Sequence, residues 1–158
     1  MITDKKILVI GSGVSGVGAV ELLEKAGASP ILYDSSEKLK EEEVRSRLPE
    51  GSRAEIILGT LPEEVKRETE LVILSPGVPV DLPLVEDMRR HGATIWGEVE
   101  LAWHFGKGKV AAVTGTNGKT TTTTLVGEIF KSWFPKVFVV GNIGTAYTHE
   151  ALNMTENS

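Results

Sequence analysis

Residues 6–16 read KILVIGSGVSG, and these eleven positions decide the fold. KILVI is a short apolar, β-branched run of the kind that forms a strand buried on both faces. It passes straight into Gly11-Ser12-Gly13-Val14-Ser15-Gly16, and a helical pattern follows. Glycines spaced G-x-G-x-x-G between a strand and a helix suit a diphosphate. Gly11 permits the tight turn, Gly13 removes the Cβ that would block the ligand, and Gly16 lets the helix touch the strand. The helix N-terminus then offers free N–H groups and partial positive charge to an anion. Asp34 closes the next strand 18 residues after Gly16, where an acid would meet a ribose hydroxyl in a dinucleotide site. Three readings stay open on these residues: a dinucleotide, another diphosphate such as a UDP-sugar, or glycines that serve only tight packing.

Working outward, β-branched runs alternate with helical patterns. Strands are expected at 30–33, 55–58, 71–74 and 94–96, and helices near 15–26, 37–48, 63–68 and 84–91. Apolar strands separated by helices imply a parallel sheet covered on both faces, an α/β doubly wound, Rossmann-like fold. In the first helix Gly16, Ala19, Val20, Leu23 and Ala26 share one face, while Glu21, Glu24 and Lys25 point away.

The 158 residues suit one domain, or one domain plus part of another. With 41% hydrophobic and 25% charged residues, a mainly disordered chain is excluded. No apolar run reaches the roughly 18 residues of a membrane span, and MITDKKILVI lacks an export signal, so a cytoplasmic protein without membrane insertion is expected. Zero cysteines exclude disulfides and thiolate metal sites, and three scattered histidines do not suggest a zinc cluster. The net charge of −5 argues against a nucleic-acid partner. That charge is unevenly spread: residues 1–105 hold 19 acidic and 12 basic side chains, residues 106–158 hold 3 and 5. The stretch Phe105-Gly106-Lys107-Gly108-Lys109 reads as a loop between them, which divides the chain into 1–105 and 106–158.

The second part predicts a β-α-β unit: strand 109–113, a helix from Gly118 to about Trp133, and strand 136–140. A unit of about 50 residues is too small to close its own core and has to lean on other chain. Between strand and helix lies Thr114-Gly115-Thr116-Asn117-Gly118-Lys119-Thr120-Thr121. Gly118-Lys119-Thr120 has the form of the end of a phosphate loop, with backbone N–H groups around the phosphates, Lys119 on the outer oxygens and the Thr120 hydroxyl on Mg²⁺. The strict pattern has glycine where this chain has Val113. Five consecutive threonines, 120–124, open the helix against propensity, a local conflict typical of functional sites. Phosphoryl transfer also calls for an acidic metal ligand. The next strand ends instead in Gly141-Asn142, so half of an ATP site is present.

Two phosphate loops of different kinds in one short chain, the second worded TGTNGKTT, resemble the Mur ligases of peptidoglycan synthesis. Asn117 and GSGVSG look like the D-glutamate-adding members; LSPGVP at 74–79, GEVEL at 97–101 and GNIG at 141–144 resemble further motifs of that group. The resemblance runs from about residue 5 to the end. It implies a ligase that uses ATP and Mg²⁺ to join D-glutamate to UDP-MurNAc-L-alanine through an acyl phosphate. By motif matching, Gly13, Val14 and Ser15 would meet the UDP diphosphate, Asp34 and Ser35 the uracil, and Asn142 the muramoyl portion; Gly77 would let substrate approach the backbone. Gly115, Thr116, Asn117, Gly118, Lys119, Thr120 and Thr121 would hold the ATP phosphates, with Lys119 catalytic and Thr120 on the metal. The resemblance further implies a longer protein, in which residues 1–105 form the UDP-substrate domain and 106–158 only the opening of a P-loop central ATPase domain. The chain by itself is therefore expected to bind UDP-substrate without catalysing. The alternatives are an NAD(P)-binding oxidoreductase domain, which leaves TGTNGKTT unexplained, and a non-catalytic nucleotide-binding module.

Other conspicuous residues take plainer readings. Glu41–Glu43 with Arg45 and Arg47 form a solvated helix face. Trp96, Trp103, Trp133 and Phe134 are expected in core or domain contacts, and His91 at a helix end. His104 and His149 have no evident partner.

Overall fold

A computed structural model describes residues 2–141 and 143–158. A 3-10 turn, Ile2–Asp4, precedes β1 (Ile7–Ile10), α1 (Val14–Lys25), β2 (Pro30–Asp34), α2 (Glu41–Arg45), β3 (Glu55–Leu58), α3 (Glu63–Glu68), β4 (Leu71–Leu74), α4 (Pro83–Arg90), β5 (Thr94–Gly97) and α5 (Glu98–Phe105). The five strands form one parallel sheet in the order β3-β2-β1-β4-β5, with Ile7 level with both Pro30 and Leu71. The doubly wound arrangement expected from the sequence is therefore present.

Alternation along the strands sorts the core into two layers. Ile7, Val9, Leu32 and Ile73 pack with Ala19, Val20 and Leu23 of α1, Val44 of α2 and Leu101 and Ala102 of α5. Leu8, Ile10, Tyr33, Val72 and Leu74 face the other way, onto Val85 and Met88 of α4 and the half-buried Val65 of α3.

Two helices of residues 1–105 differ from expectation. The helix expected at 37–48 contracts to Glu41–Arg45. At its start the Ser36 N–H bonds the Asp34 carboxylate 3.0 Å away, a local alternative to helix. At its end Arg47 and Leu48 make tighter three-residue turns, and Pro49 disfavours helix at Leu48. Conversely α5 forms where only a motif was noted. Its end signals are present: Gly97 as N-cap, Glu98 and Glu100 in the first turn, His104 in the last and Gly106 beyond it.

Beyond residue 106, α6 (Lys119–Lys131) forms as expected, but 109–113 and 136–140 make no ladder. A strand exists only through a hydrogen-bonded neighbour. Among the described residues these two stretches pair neither with each other nor with the edges β3 and β5, and the one isolated bridge joins Val140 to Thr145. The chain ends instead in α7 (Tyr147–Glu150) and a 3-10 turn, Ala151–Asn153, with Tyr147 and Ala151 buried in the layer that contains α1 and α5. Trp103 and Trp133 are 63% and 82% exposed, so of the core or domain-contact roles expected the core one does not hold, because each lies on the outward face of its helix or just past it. Trp96 is half-buried and meets the His104 ring at 5.0 Å.

Candidate functional site

The chain order of the sheet reverses between β1 and β4, and the crevice outside the carboxyl ends of strands at such a point is where open α/β sheets take ligands. The loops after β1, β2 and β4 converge there. Gly11 donates its N–H to Tyr33 O at 2.8 Å, Ser75 donates its N–H to Ile10 O at 3.1 Å, and the Ser75 hydroxyl donates to Gly11 O at 3.2 Å. Gly11 has φ +101°, open to glycine, and a Cβ on Gly16 would stand 1.8 Å from Gly11 O. Each of these glycines thus has the local role read from the sequence. Gly13 is different: nothing lies within 4 Å of the position its Cβ would take, which leaves an open approach to the backbone. Gly13 caps α1 without a side-chain bond, and the first helical hydrogen bond runs from Val17 N to Gly13 O at 3.0 Å. In the first turn the N–H groups of Val14 and Ser15 have no intrahelical acceptor.

Asp34 is bound up with this loop. Its Oδ2 accepts the Ser12 N–H at 3.0 Å and the Ser12 hydroxyl at 2.7 Å, and its Oδ1 accepts the Ser36 N–H at 3.0 Å. Burial pushes the Asp34 carboxyl up, but these three hydrogen bonds and the Arg47 charge outweigh it and hold it below the usual carboxylate range. Ser12 itself is 2% exposed. Sequence reading passed over it, and the only signal was a small hydroxyl residue between two glycines. Ser35 is exposed beside Asp34, and Gly77, in the turn closed by Val78 N to Ser75 O at 2.9 Å, also faces open space. Gly13, Val14, Ser15, Asp34, Ser35 and Gly77 thus share one edge of the sheet.

The second loop is an exposed turn ahead of α6. Gly115 and Gly118 have φ +146° and +76°, and Gly118 is the left-handed N-cap. The Lys119 ammonium folds back over the loop and donates to Gly115 O at 2.5 Å and Thr116 O at 3.4 Å. Thr116, Asn117, Thr120 and Thr121 are exposed, and the Thr124 hydroxyl back-bonds to Thr120 O at 2.9 Å. Among the described residues no group of three acidic, histidine or cysteine side chains is placed to hold a metal.

Asn142 lies outside the described residues. Near it Gly141 and Gly144 have positive φ, and Gly141 N donates to Thr145 O at 3.2 Å. Among the described residues no helix is long and apolar enough to cross a membrane.

Residues 5–97 match the family described as Mur ligase MurD-like, N-terminal domain, and residues 113–158 match the Mur ligase middle domain. A UDP-N-acetylmuramoylalanine–D-glutamate ligase of Lachnoclostridium phytofermentans is 55% identical over 97% of this chain, and one of Lachnospira eligens is 50% identical over 98%. The chain spans about a third of the length of these curated relatives, 34% of each. A solved structure of a pseudomurein peptide ligase type C from Methanothermus fervidus is similar in fold, with TM-score 0.52 and 22% identity over 81% of this chain and 26% of that one.

Proposed function

The chain belongs to the MurD-like Mur ligases, and from that premise we propose that it is the nucleotide-binding portion of a cytoplasmic UDP-N-acetylmuramoylalanine–D-glutamate ligase, with UDP-MurNAc-L-alanine and D-glutamate as the substrates of the whole enzyme. One observation carries this reading. The glycine loop 11–16 and the lysine loop 114–120 occur in one chain, each opens a helix, and each falls inside a matched segment. An oxidoreductase domain accounts for the first loop alone.

In this reading residues 1–105 bind the UDP-substrate and 106–158 begin the central ATPase domain. The N–H groups of Val14 and Ser15 take the diphosphate at the open face of Gly13, Asp34 and Ser35 take the nucleoside end, Gly77 admits the substrate to the crevice, and Asn142 meets the muramoyl portion. The donor set of the second loop suits a polyphosphate: backbone N–H groups at two left-handed glycines, and an ammonium that bonds two loop carbonyls. ATP, when bound, supplies the phosphoryl group that activates the substrate carboxyl for amide formation. Gly115, Thr116, Asn117, Gly118 and Thr121 hold its phosphates, Lys119 leaves the loop carbonyls to balance charge on the transferring group, and the exposed Thr120 hydroxyl is the chain's own ligand for Mg²⁺. Further metal ligands and the amino-acid site belong to the additional length that the relatives possess, so the 158-residue chain binds without ligating.

Calorimetric titration of the chain with UDP-MurNAc-L-alanine and with NADH tests the reading. Saturable binding of the UDP-sugar and none of NADH is expected; the opposite result would overturn it.

A further inference from the structure

We propose that Ser12 is a positioning residue for nucleotide binding, one that orients the Asp34 carboxylate so that its Oδ1 faces the nucleoside end of the crevice as a fixed acceptor. This rests on the nucleotide-binding reading above and deepens it. Ser12 sits between the two glycines that turn the loop, so its backbone could have faced the ligand as Gly13 does. It is instead 2% exposed, and both its N–H and its hydroxyl are spent on one atom, Asp34 Oδ2, at 3.0 and 2.7 Å. Two donors on one carboxylate oxygen fill its acceptor capacity and pin the plane of the group. Oδ1 accepts the Ser36 N–H at 3.0 Å, and that is its one bond among the described residues. A carboxylate oxygen has two acceptor sites, so one remains, at the half-buried end of β2 beside the exposed Ser35. A base N–H or a ribose hydroxyl would complete it.

The arrangement requires the carboxylate form. The groups that act on Asp34 are Ser12 from the loop after β1, Ser36 from its own loop, Arg47 beyond α2, and Tyr33, its neighbour on β2. Tyr33 stays protonated, since burial and the Asp34 charge both raise it, and it donates its hydroxyl to Gly59 O at 2.8 Å instead. Of the groups that hydrogen-bond Asp34, only the Ser12 hydroxyl can be removed without altering the backbone.

Ser12→Ala, Asp34→Asn and the double variant of the chain are titrated with UDP across the acid pH range, beside a ligand-free carbon-13 titration of the Asp34 carboxyl. The expected result has three parts: about tenfold weaker UDP binding in Ser12→Ala, the loss of a charge-assisted hydrogen bond; an acid limit of binding that moves to higher pH together with the Asp34 carboxyl; and no further loss when Ser12→Ala is added to Asp34→Asn. A loop that is merely braced by Ser12 would weaken binding equally at every pH, and that result would overturn the proposal. So would an unmoved Asp34 titration in Ser12→Ala, which can be read even if the variant's loop is too disturbed to bind. A wild-type chain that binds no UDP at any pH would overturn the nucleotide reading and this proposal with it, whereas normal wild-type binding unaffected by Ser12→Ala overturns the proposal alone.

Discussion

The Thr148 hydroxyl donates a 3.2 Å hydrogen bond to Glu98 Oε1, where Thr148 is 3% and Glu98 9% exposed, and so joins α7 to α5 across 50 residues of chain. Gly18 of α1 lies against the same hydroxyl; a Cβ there would come within 2.7 Å of it. One residue on, His149 Nδ1 stands 3.3 Å from Glu21 Oε2, also on α1. Thr148 and His149 are thereby held on the flank of the helix whose N-terminus carries the glycine loop. The two motifs are coupled through helix packing rather than through a shared sheet.

Thr148→Val keeps the side-chain shape and removes the donor, which leaves the buried Glu98 carboxylate short of a partner. A loss of about 1–3 kcal/mol is expected, read by urea unfolding. Gly18→Ala acts on the same contact from the other side. Alanine favours the helix by up to about 1 kcal/mol, yet its methyl displaces the Thr148 hydroxyl. Faster amide exchange at 147–151 with α1 protection intact is expected; unchanged exchange there would mean that α7 does not depend on this contact.

Gly13 and Gly16 separate binding from folding. A methyl on Gly16 meets a backbone carbonyl at 1.8 Å, which cannot yield without moving the turn, so Gly16→Ala should lose about 1–3 kcal/mol or more of stability. A methyl on Gly13 meets nothing, and Gly13 has φ −73°, accessible to alanine. Gly13→Ala should therefore unfold within about 0.5 kcal/mol of wild type while UDP binding falls. Thermal melts and UDP titrations of the pair check both halves; a Gly13→Ala chain with full affinity would remove that backbone from the site.

The sheet was legible in advance because its strands are short apolar runs bounded by turn residues, and the glycine loop because each of its glycines answers a local steric demand. What stayed hidden depends on distant partners. Ser12 looked inert until the curl of the loop brought it to Asp34, and α5 was masked because GEVELAWHF shows its inward face, Leu101 and Ala102, only against α1 and β4. Stretches 109–113 and 136–140 have strand composition but no ladder partner, so composition alone misjudged them. Trp103 and Trp133 lie outside the core for the related reason that apolar neighbours in sequence do not fix which face of a helix is covered.

Lys119 is exposed, and among the described residues its ammonium bonds Gly115 O and Thr116 O of its own loop alone. Lys119→Ala should leave the melting temperature of the chain and its UDP binding unchanged while abolishing any binding of ATP or of inorganic pyrophosphate. In the full-length protein the same change should remove ligation. A variant that still ligates at the wild-type rate would exclude Lys119 from the reaction.

Tyr147 is 5% exposed, and its hydroxyl is the one buried side-chain polar atom without a hydrogen-bond partner among the described residues. The hydroxyl is wedged where a Cβ on Gly106 would lie 2.9 Å from it, at the seam between the two parts of the chain. An unsatisfied buried hydroxyl costs about 1–3 kcal/mol. Tyr147→Phe, which keeps the ring, should therefore be neutral or more stable by about 1 kcal/mol in urea. Burial also raises the Tyr147 phenol above its ordinary value of 10.0. The unfolded chain then loses its phenolic proton first, so the native state keeps its full stability below that ordinary value and loses it as pH rises toward the raised one. Tyr147→Phe should flatten this alkaline decline in part, and the remainder belongs to Tyr33, which burial and the Asp34 charge also raise, and to Lys6 and Lys66, which their bonds to Glu68 and Glu63 raise. Urea melts of both proteins at neutral and alkaline pH decide the matter: parallel declines would show that Tyr147 is not the group that titrates.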